Sequence, residues 1–384
     1  MRTATFCVAN ATPAGRPGMI RPAVARSPAR PTLEHVAARA GVSRALVSLV
    51  IRGVAGQASA QTRERVLQAA AELGYRPDAR ARLLARNRSQ LLGVVYNVRH
   101  AFHAELVDGL YAAAERIGYE LVLSGLTPAR DDRRAVETIV DFRCEALILL
   151  GPETPAPSLA GLLPVVVVGW RVRQPSVDVV RTSDDQGMRQ AVDHLVGLGH
   201  RDIVYVDGGG GPVSAARRRG YRTAMRRHGL GARARVLTGG HTEEAGASAA
   251  RVLLEERALP TALLTFNDDC ALGLLDSFIR AGVAVPDDVS IVGYDDSWVS
   301  RLSNVNLTTV GQDAGRMAAL AVDRAIARVN GDAPPETDIV LAPYLVVRGT
   351  TAAPVHRPMS SAPDGRTDRV AASASAKQES FPRS

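Results

Sequence analysis

Cysteine, lysine and long apolar runs are all scarce in this chain of 384 residues, and each scarcity excludes something. The three cysteines, Cys7, Cys144 and Cys270, lie far apart and form neither a CxxC pair nor a Cys/His metal spacing. They read as reduced thiols, and no metal site or disulfide framework is expected. No apolar run approaches the roughly 18 to 20 residues of a membrane span, and LLPVVVVGW reads as a buried strand. No P-loop, GxSxG or HExxH motif occurs, so no catalytic residues or cofactor are assigned. The glycine run at 208–211 lacks the spacing of a dinucleotide loop and reads as a flexible connection. The only lysine is Lys377, so nearly all of the positive charge is arginine, a bias that base composition can produce.

What the chain does have is a displaced charge. The formal net charge is +8, yet residues 1–90 hold 15 Arg against 4 acidic residues, while the rest holds 32 basic against 35 acidic. The excess is confined to the first quarter, the footprint of a nucleic-acid or membrane contact in front of an ordinary soluble body. Residues 1–31, rich in Ala, Pro and Arg, read as a disordered extension, although a transit peptide shares this composition. The Ser/Ala/Pro-rich residues 355–384 read as a disordered tail. With no apolar signal core, a cytoplasmic location is expected.

Residues 32–76 carry the most specific local pattern. Thr32 is placed to cap a first helix, Gly41 suits the turn after it, and Ser43 is placed to cap a second helix with Leu46, Val47 and Val50 apolar. Ser59 precedes a third helix, with Val66, Ala69, Ala70 and Leu73 on one face and Gly74 at its end. Two short helices joined by a glycine-containing turn form a helix-turn-helix, so double-stranded DNA is the expected partner. Pro77 opens a short arginine-rich segment to about residue 89, too short for independent helical stability. From 90 to 354, short apolar runs (LGVVY, ELVLS, ALILL, VVVVG, DIVYV, ALLTF, SIVGY, YLVV) alternate with amphipathic stretches. This predicts an α/β body of parallel sheets, as one domain or two lobes.

The chain resembles the lactose-repressor (LacI/GalR) family of bacterial transcription regulators over residues 32 to about 353. In the head the resemblance rests on V-A-x-x-A-G-V-S, T-R-x-R-V and L-G-Y-x-P. In the body it rests on G-H-R-x-I at 199–203, N-D-x-x-A-L-G at 267–273, V-P-D-D-V-S-I-V-G-Y-D-D at 285–296, L-T-T-V at 307–310 and L-V-V-R-G-T-T at 345–351. It implies a two-lobed, periplasmic-binding-protein-like core of Rossmann-like lobes behind an all-α helix-turn-helix head. It also implies an effector cleft between the lobes and a homodimer on a near-palindromic operator. A solute-binding protein for transport is the alternative, opposed by the head; an enzyme regulated by DNA is a third reading.

Arg44 and Ala45 open the second helix, with Ser48 one turn later, where a helix-turn-helix reads base edges. Arg44 is able to donate twice to guanine, or else to a phosphate; Ala45 offers a thymine methyl only an apolar contact. Thr32, Ser43 and Ser48 are candidate phosphate contacts, and capping accounts equally well for Ser43. Arg52 stands where the family commonly has Asn, and Leu49 where a polar residue is common; nothing in the sequence explains Leu49 beyond extra packing. The segment after Pro77 matches the family's hinge helix, which implies that Leu84 wedges into the minor groove, a plain dimer contact being the other reading, while Arg80 and Arg82 neutralise phosphates. For the effector, a sugar or related metabolite, the candidates are Phe102, His103, Trp170, Arg217, His241, Asn267 and Asp295. Structural readings stand beside them: a capped turn for Asp295, an internal ion pair for Arg217, and a core or rim position for Trp170.

Overall fold

The computed structural model describes residues 31–51, 53, 56, 58–75, 88–152, 163–256, 258–332 and 334–355. Arg52, Arg80, Arg82 and Leu84, together with the extension before Pro31 and the tail after Val355, lie outside the described residues. The chain divides into two compact units meeting at Asn87 and Arg88.

The first unit holds three helices, α1 (Leu33–Ala40), α2 (Arg44–Ile51) and α3 (Ala60–Glu72). Their apolar faces close on one small core in which Val36, Val47 and Val66 are fully buried and Val50 and Ala69 nearly so. Gly41 ends α1 in the left-handed region, φ 65°, where a side chain would be strained. That single residue turns the chain sharply enough to start α2 three residues later. Ser43 Oγ accepts the Leu46 N–H at 3.2 Å and Ser59 Oγ the Thr62 N–H at 3.2 Å, so both act as N-caps. At Thr32 the His35 Nδ1 accepts the residue's backbone N–H at 3.1 Å, the backward bond of a capping box.

The second unit is two α/β lobes. The first lobe carries a six-stranded parallel sheet of order β11-β5-β4-β3-β1-β2, made of β1 (Leu91–Asn97), β2 (Glu120–Leu126), β3 (Ala146–Leu150), β4 (Val165–Val168), β5 (Val177–Thr182) and β11 (Asp338–Leu341). Helices α4 (Ala101–Arg116), α5 (Asp132–Asp141) and α10 (Ala314–Val329) cover it. The second lobe has the order β12-β10-β9-β8-β6-β7, with β6 (Ile203–Asp207), β7 (Arg235–Thr238), β8 (Ala262–Thr265), β9 (Ser290–Asp295), β10 (Thr308–Gly311) and β12 (Tyr344–Val346). Only the short β10–β12 pairing is antiparallel among the described strands. Helices α6 (Asp184–Gly197), α7 (Pro212–Arg227), α8 (Glu243–Leu254) and α9 (Asp268–Arg280) flank this sheet.

Continuous apolar strands are what two covered faces demand. In β3, Ala146, Ile148 and Leu150 enter one core while Leu147 and Leu149 enter the other, and β6 splits Ile203 and Tyr205 from Val204 and Val206 in the same way. Four described strands were absent from the expectation: β5, β7, β10 and β11. They are short or interrupted by polar residues. In β5, Asp178 is buried against Arg328 (2.6 Å) and Arg181 pairs with Asp338 of β11 (2.8 Å), so charges that suggest a loop are neutralised inside the sheet.

The chain crosses between lobes three times, after β5, after β10 and after β11. These crossings are tied together. Thr182 Oγ1 donates to Gln312 Oε1 at 2.6 Å, Ser183 N–H donates to the Leu341 carbonyl at 3.0 Å, and Gln190 Nε2 donates to the Pro343 carbonyl at 3.1 Å. The result is a hinge at one end of a cleft onto which the carboxyl ends of both sheets open, the place where open α/β sheets bind ligands.

Candidate functional site

On the head, Arg44 and Ala45 are exposed at the start of α2, and Ser48 is half-buried one turn on. The Arg44 guanidinium meets Glu34 at 3.1 Å on an open surface. Such a pair is worth at most about 1 kcal/mol, so it leaves the guanidinium able to exchange partners. Leu49 is half-buried on α2.

In the body, a cavity of about 480 Å³ lies between the lobes, lined by Phe102, His103, Trp170, Arg217, His241 and Asp295 among others. Six of the seven candidate effector residues therefore line one cavity. Asn267 does not. Its Oδ1 accepts the Cys270 N–H at 3.0 Å as the N-cap of α9, and its Nδ2 donates to the His241 carbonyl at 3.0 Å. Fully buried, with its amide engaged at both ends, it positions His241 and offers nothing to the cavity.

Arg217 is the electrostatic centre of the floor. It projects from α7 and is 4% exposed. Its Nε donates to Asp184 at 2.9 Å, its Nη1 to the Phe266 carbonyl at 2.5 Å, and Asp295 stands 3.6 Å from Nη2. The Tyr294 ring faces the guanidinium at 3.5 Å. Burial opposes the charge, but Tyr294, Asp184 and Asp295 together hold the cation. Burial raises the carboxyls of Asp184 and Asp295, and Arg217 pulls both back. Gln312, from the hinge, donates to Asp295 Oδ1 at 2.6 Å, which links the floor of the cavity to the crossings.

Asp295 is held in an unusual conformation, with φ 119°, and Asp296 follows at φ 53°. Two consecutive non-glycine residues in this region cost about 1–3 kcal/mol each unless their surroundings impose it. Here they do. Asp268, buried at the start of α9, accepts the Ser297 N–H (2.8 Å) and hydroxyl (2.9 Å) and the Thr309 hydroxyl (2.6 Å). Arg348 clamps Asp296 at 2.6 Å. Burial pushes the Asp268 carboxyl up to about 7 against these bonds, which favour the charged form.

The opposite wall is aromatic. Trp170 Nε1 donates to the Pro152 carbonyl at 2.9 Å, which orients the indole along the cavity edge. His103 Nδ1 accepts the Asn97 N–H at 3.0 Å, and burial, reinforced by His241, lowers its pKa to about 4. The ring is therefore neutral at pH 7. A histidine whose folded pKa lies below the ordinary 6.5 contributes stability above pH 6.5 that is lost as pH falls toward 4. At pH 5 that loss is about 2 kcal/mol for His103. His103→Asn keeps an acceptor for Asn97 without a titrating ring. Urea melts at pH 7.5 and pH 5 should show a smaller acid loss for the variant than for the wild type by about that amount, and equal losses would refute the assignment.

Sequence reasoning missed Gln312, His100 and the glycine run as parts of this cavity, and Asp184 as the partner of Arg217 behind it. Gly208, Gly210 and Gly211 line it, and the run is fastened rather than loose. Asp207 Oδ1 accepts the Gly209 N–H at 2.9 Å, and Arg218 reaches both Asp207 and the Gly209 carbonyl. A carboxylate just before a glycine run, with an arginine eleven residues on, was the signal available. Among the described residues no group of acidic, His or Cys side chains is suited to a metal, and no helix is long and apolar enough to cross a membrane.

Comparison with known proteins bears on both units. Residues 32–78 match the bacterial regulatory proteins of the lacI family, and residues 192–351 match a periplasmic binding protein-like domain. The HTH-type transcriptional regulator AscG of Escherichia coli (strain K12) is 33% identical over 319 residues, covering 80% of this chain and 95% of that protein. The ribose operon repressor of the same strain is 32% identical over 329 residues, covering 83% and 99%. Among solved structures, the lac repressor dimer bound to operator and the anti-inducer ONPF superposes with a TM-score of 0.73 at 31% identity, covering 84% of this chain and 99% of that one. A LacI transcriptional regulator from a Rhodococcus species is 47% identical, with a TM-score of 0.66, over 68% of this chain and 98% of its own.

Proposed function

This chain belongs to the lacI family of bacterial regulatory proteins, and from that premise we propose that it is a homodimeric repressor whose grip on a near-palindromic operator is set by a neutral, hydroxyl-rich effector in the interlobe cavity. It is a DNA-binding transcriptional regulator; the transport alternative is not favoured, since its relatives of matching length are regulators.

One observation carries the effector class. Arg217, the cation of the cavity floor, is already balanced by Asp184 and Asp295, and the imidazoles of the facing wall are neutral. Among the described residues an anionic ligand would find no uncompensated positive charge there, whereas a sugar or nucleoside finds donors and acceptors side by side. Trp170, Phe102 and Phe266 supply apolar faces, and the volume suits a small metabolite. Closing on such a ligand moves the lobes about the Thr182–Gln312 hinge. By linkage, operator binding and effector binding then alter each other by one common factor.

On DNA, Arg44 reads a guanine, Ala45 lies against a neighbouring base, and Thr32, Ser43, Ser48 and Arg52 hold phosphates. Leu84 engages the minor groove at the operator centre, and Arg80 and Arg82 neutralise phosphates beside it. Footprinting of DNA upstream of the chain's own gene tests the reading, and absence of protection at every salt concentration rejects it. In the same assay Arg44→Ala should cost about 1–3 kcal/mol of discrimination at one base pair of each half-site, with the salt slope nearly unchanged. A loss uniform across sequences, with the slope reduced by about 1, would instead make Arg44 a phosphate contact.

A further inference from the structure

The three crossings are not the only attachment between the lobes. Helix α4 of the first lobe starts without a cap of its own, because His100 at its N-cap position makes no side-chain capping bond. Its first N–H, that of Ala101, donates instead to Asp269 Oδ2 of the second lobe at 3.2 Å. Asp269 lies in the first turn of α9 and is 8% exposed. One buried carboxylate therefore serves the N-terminal ends of two helices on opposite lobes, where unpaired N–H groups and helix dipoles favour negative charge. Burial pushes this carboxyl up to about 6 against the pull of the Ala101 bond, with Glu243 adding to the rise, so it is charged at pH 7.5. One turn along α4, Glu105 accepts a hydrogen bond from Arg301 of the second lobe. Arg301 closes the short helical turn Trp298–Arg301 and donates also to the Asp296 carbonyl at 2.8 Å. Asp268 holds that turn through Ser297, so both second-lobe partners are fixed to the start of α9. None of Ala101, Glu105, Asp269 and Arg301 lies in a crossing.

A hinge by itself leaves the angle between two lobes free, and a second attachment away from it fixes that angle. We propose that Asp269 and Arg301 form an interlobe lock, which grips the first turns of α4 and sets the angle between the lobes. The lock reaches the lobe that carries the linker. The chain enters the body at Arg88, whose guanidinium donates to the Val329 carbonyl at 3.2 Å and to Asn330 Oδ1 at 3.0 Å, at the end of α10. Helices α10 and α4 share one core and pack so closely that a Cβ on Gly109 would stand 2.8 Å from the Ala318 methyl. A ligand shifts the lobes only by favouring one arrangement over another, and the two bonds of the lock are lost in one and kept in the other. That regulatory consequence rests on the effector-controlled reading above; the lock itself does not.

Amide hydrogen exchange of the full chain at pH 7.5, followed by mass spectrometry, tests the lock with neither effector nor operator present. Arg301→Ala leaves Asp269 and its bond to Ala101 in place. Release of the lock should nevertheless speed exchange about tenfold at the start of α4 (101–106), in the 239–243 loop that bears His241 and at the 311–313 crossing. Asp269→Ala should speed the same three segments by a similar factor. Asp269→Asn keeps the packing and an oxygen for Ala101 but not the charge, and should fall between Asp269→Ala and the wild type. The interior strands β3 and β8 should keep wild-type rates in all three variants, which separates release of the lock from a general loss of stability. Purely local effects overturn the lock: faster exchange confined to 101–103 in Asp269→Ala and to 296–302 in Arg301→Ala. So do wild-type rates in both alanine variants, or a rise in β3 and β8 equal to that of the three segments. Each of these failures leaves the neutral-effector reading standing, because no ligand enters the experiment.

Discussion

Replacing Arg217 with alanine should destabilise the body by about 3–5 kcal/mol, the cost of leaving buried charge unpaired. The guanidinium serves Asp184, Asp295 and the Phe266 carbonyl at once and lies against the Tyr294 ring. Alanine strands two carboxylates beneath the cavity, leaves a carbonyl without its donor and opens space under an aromatic face. Arg217→Lys should fall between, because one ammonium cannot reproduce the planar fork that reaches several partners. Urea denaturation of the full chain at pH 7.5 measures this, and a loss under about 1 kcal/mol would show that the floor does not depend on the cation. The deficit should shrink as pH falls. Burial already raises both carboxyls, so without the arginine they take up protons first and the stranded charge disappears. The consequence for function is direct: loss of effector binding in Arg217→Ala does not by itself show that Arg217 touches the effector.

Gly273→Ala should cost about 3 kcal/mol or more, at the upper end for overpacking, even though alanine is the better helix former by about 1 kcal/mol. A Cβ on Gly273 would stand 1.9 Å from the Glu243 carbonyl oxygen, and one on Gly246 would stand 2.0 Å from the Cys270 carbonyl oxygen. Helices α8 and α9 therefore touch backbone to backbone at two reciprocal points. Relief requires moving a whole helix, not a side chain. Because α9 begins with Asn267, Asp268 and Asp269, parting the helices also disturbs the anchor of His241, the clamp on the Asp295–Ser297 turn and the bond to Ala101. The measurement is the thermal midpoint with and without a bound sugar. A variant as stable as the wild type would mean that the helices separate freely. Gly246→Ala combined with Gly273→Ala should cost less than the two single losses added, since one displacement accommodates both methyl groups.

The head was the most legible part of the chain. Its three helices, the Gly41 turn and the caps at Ser43 and Ser59 follow from local chemistry, and the apolar spacing named the residues that close its core. The α/β character of the body was legible for the same reason, because strands covered on both faces are apolar throughout. β5 and β11 were not, since their charges meet only partners far along the chain: Asp178 pairs with Arg328, and Arg181 with Asp338. Among the cavity residues, family motifs pointed to Arg217 and Asp295, but equally to Asn267. A motif preserves a residue without saying whether it faces ligand or holds a helix.

The sequence alone therefore determined the DNA-binding head, the class of the body and the family, because helix caps, turn glycines and strand periodicity act over a few residues. Only the tertiary structure decided which polar groups are spent and which remain open. The three crossings bring Thr182 to Gln312 and His100 to His241, packing within the second lobe brings Arg217 to Asp184 and Asp295, and hydrogen-bonding capacity is divided only once those partners meet. Among the described residues, the buried side-chain atoms left without a partner, such as His100 Nδ1 and the Tyr294 hydroxyl, are a property of that assembly and of no single stretch of chain.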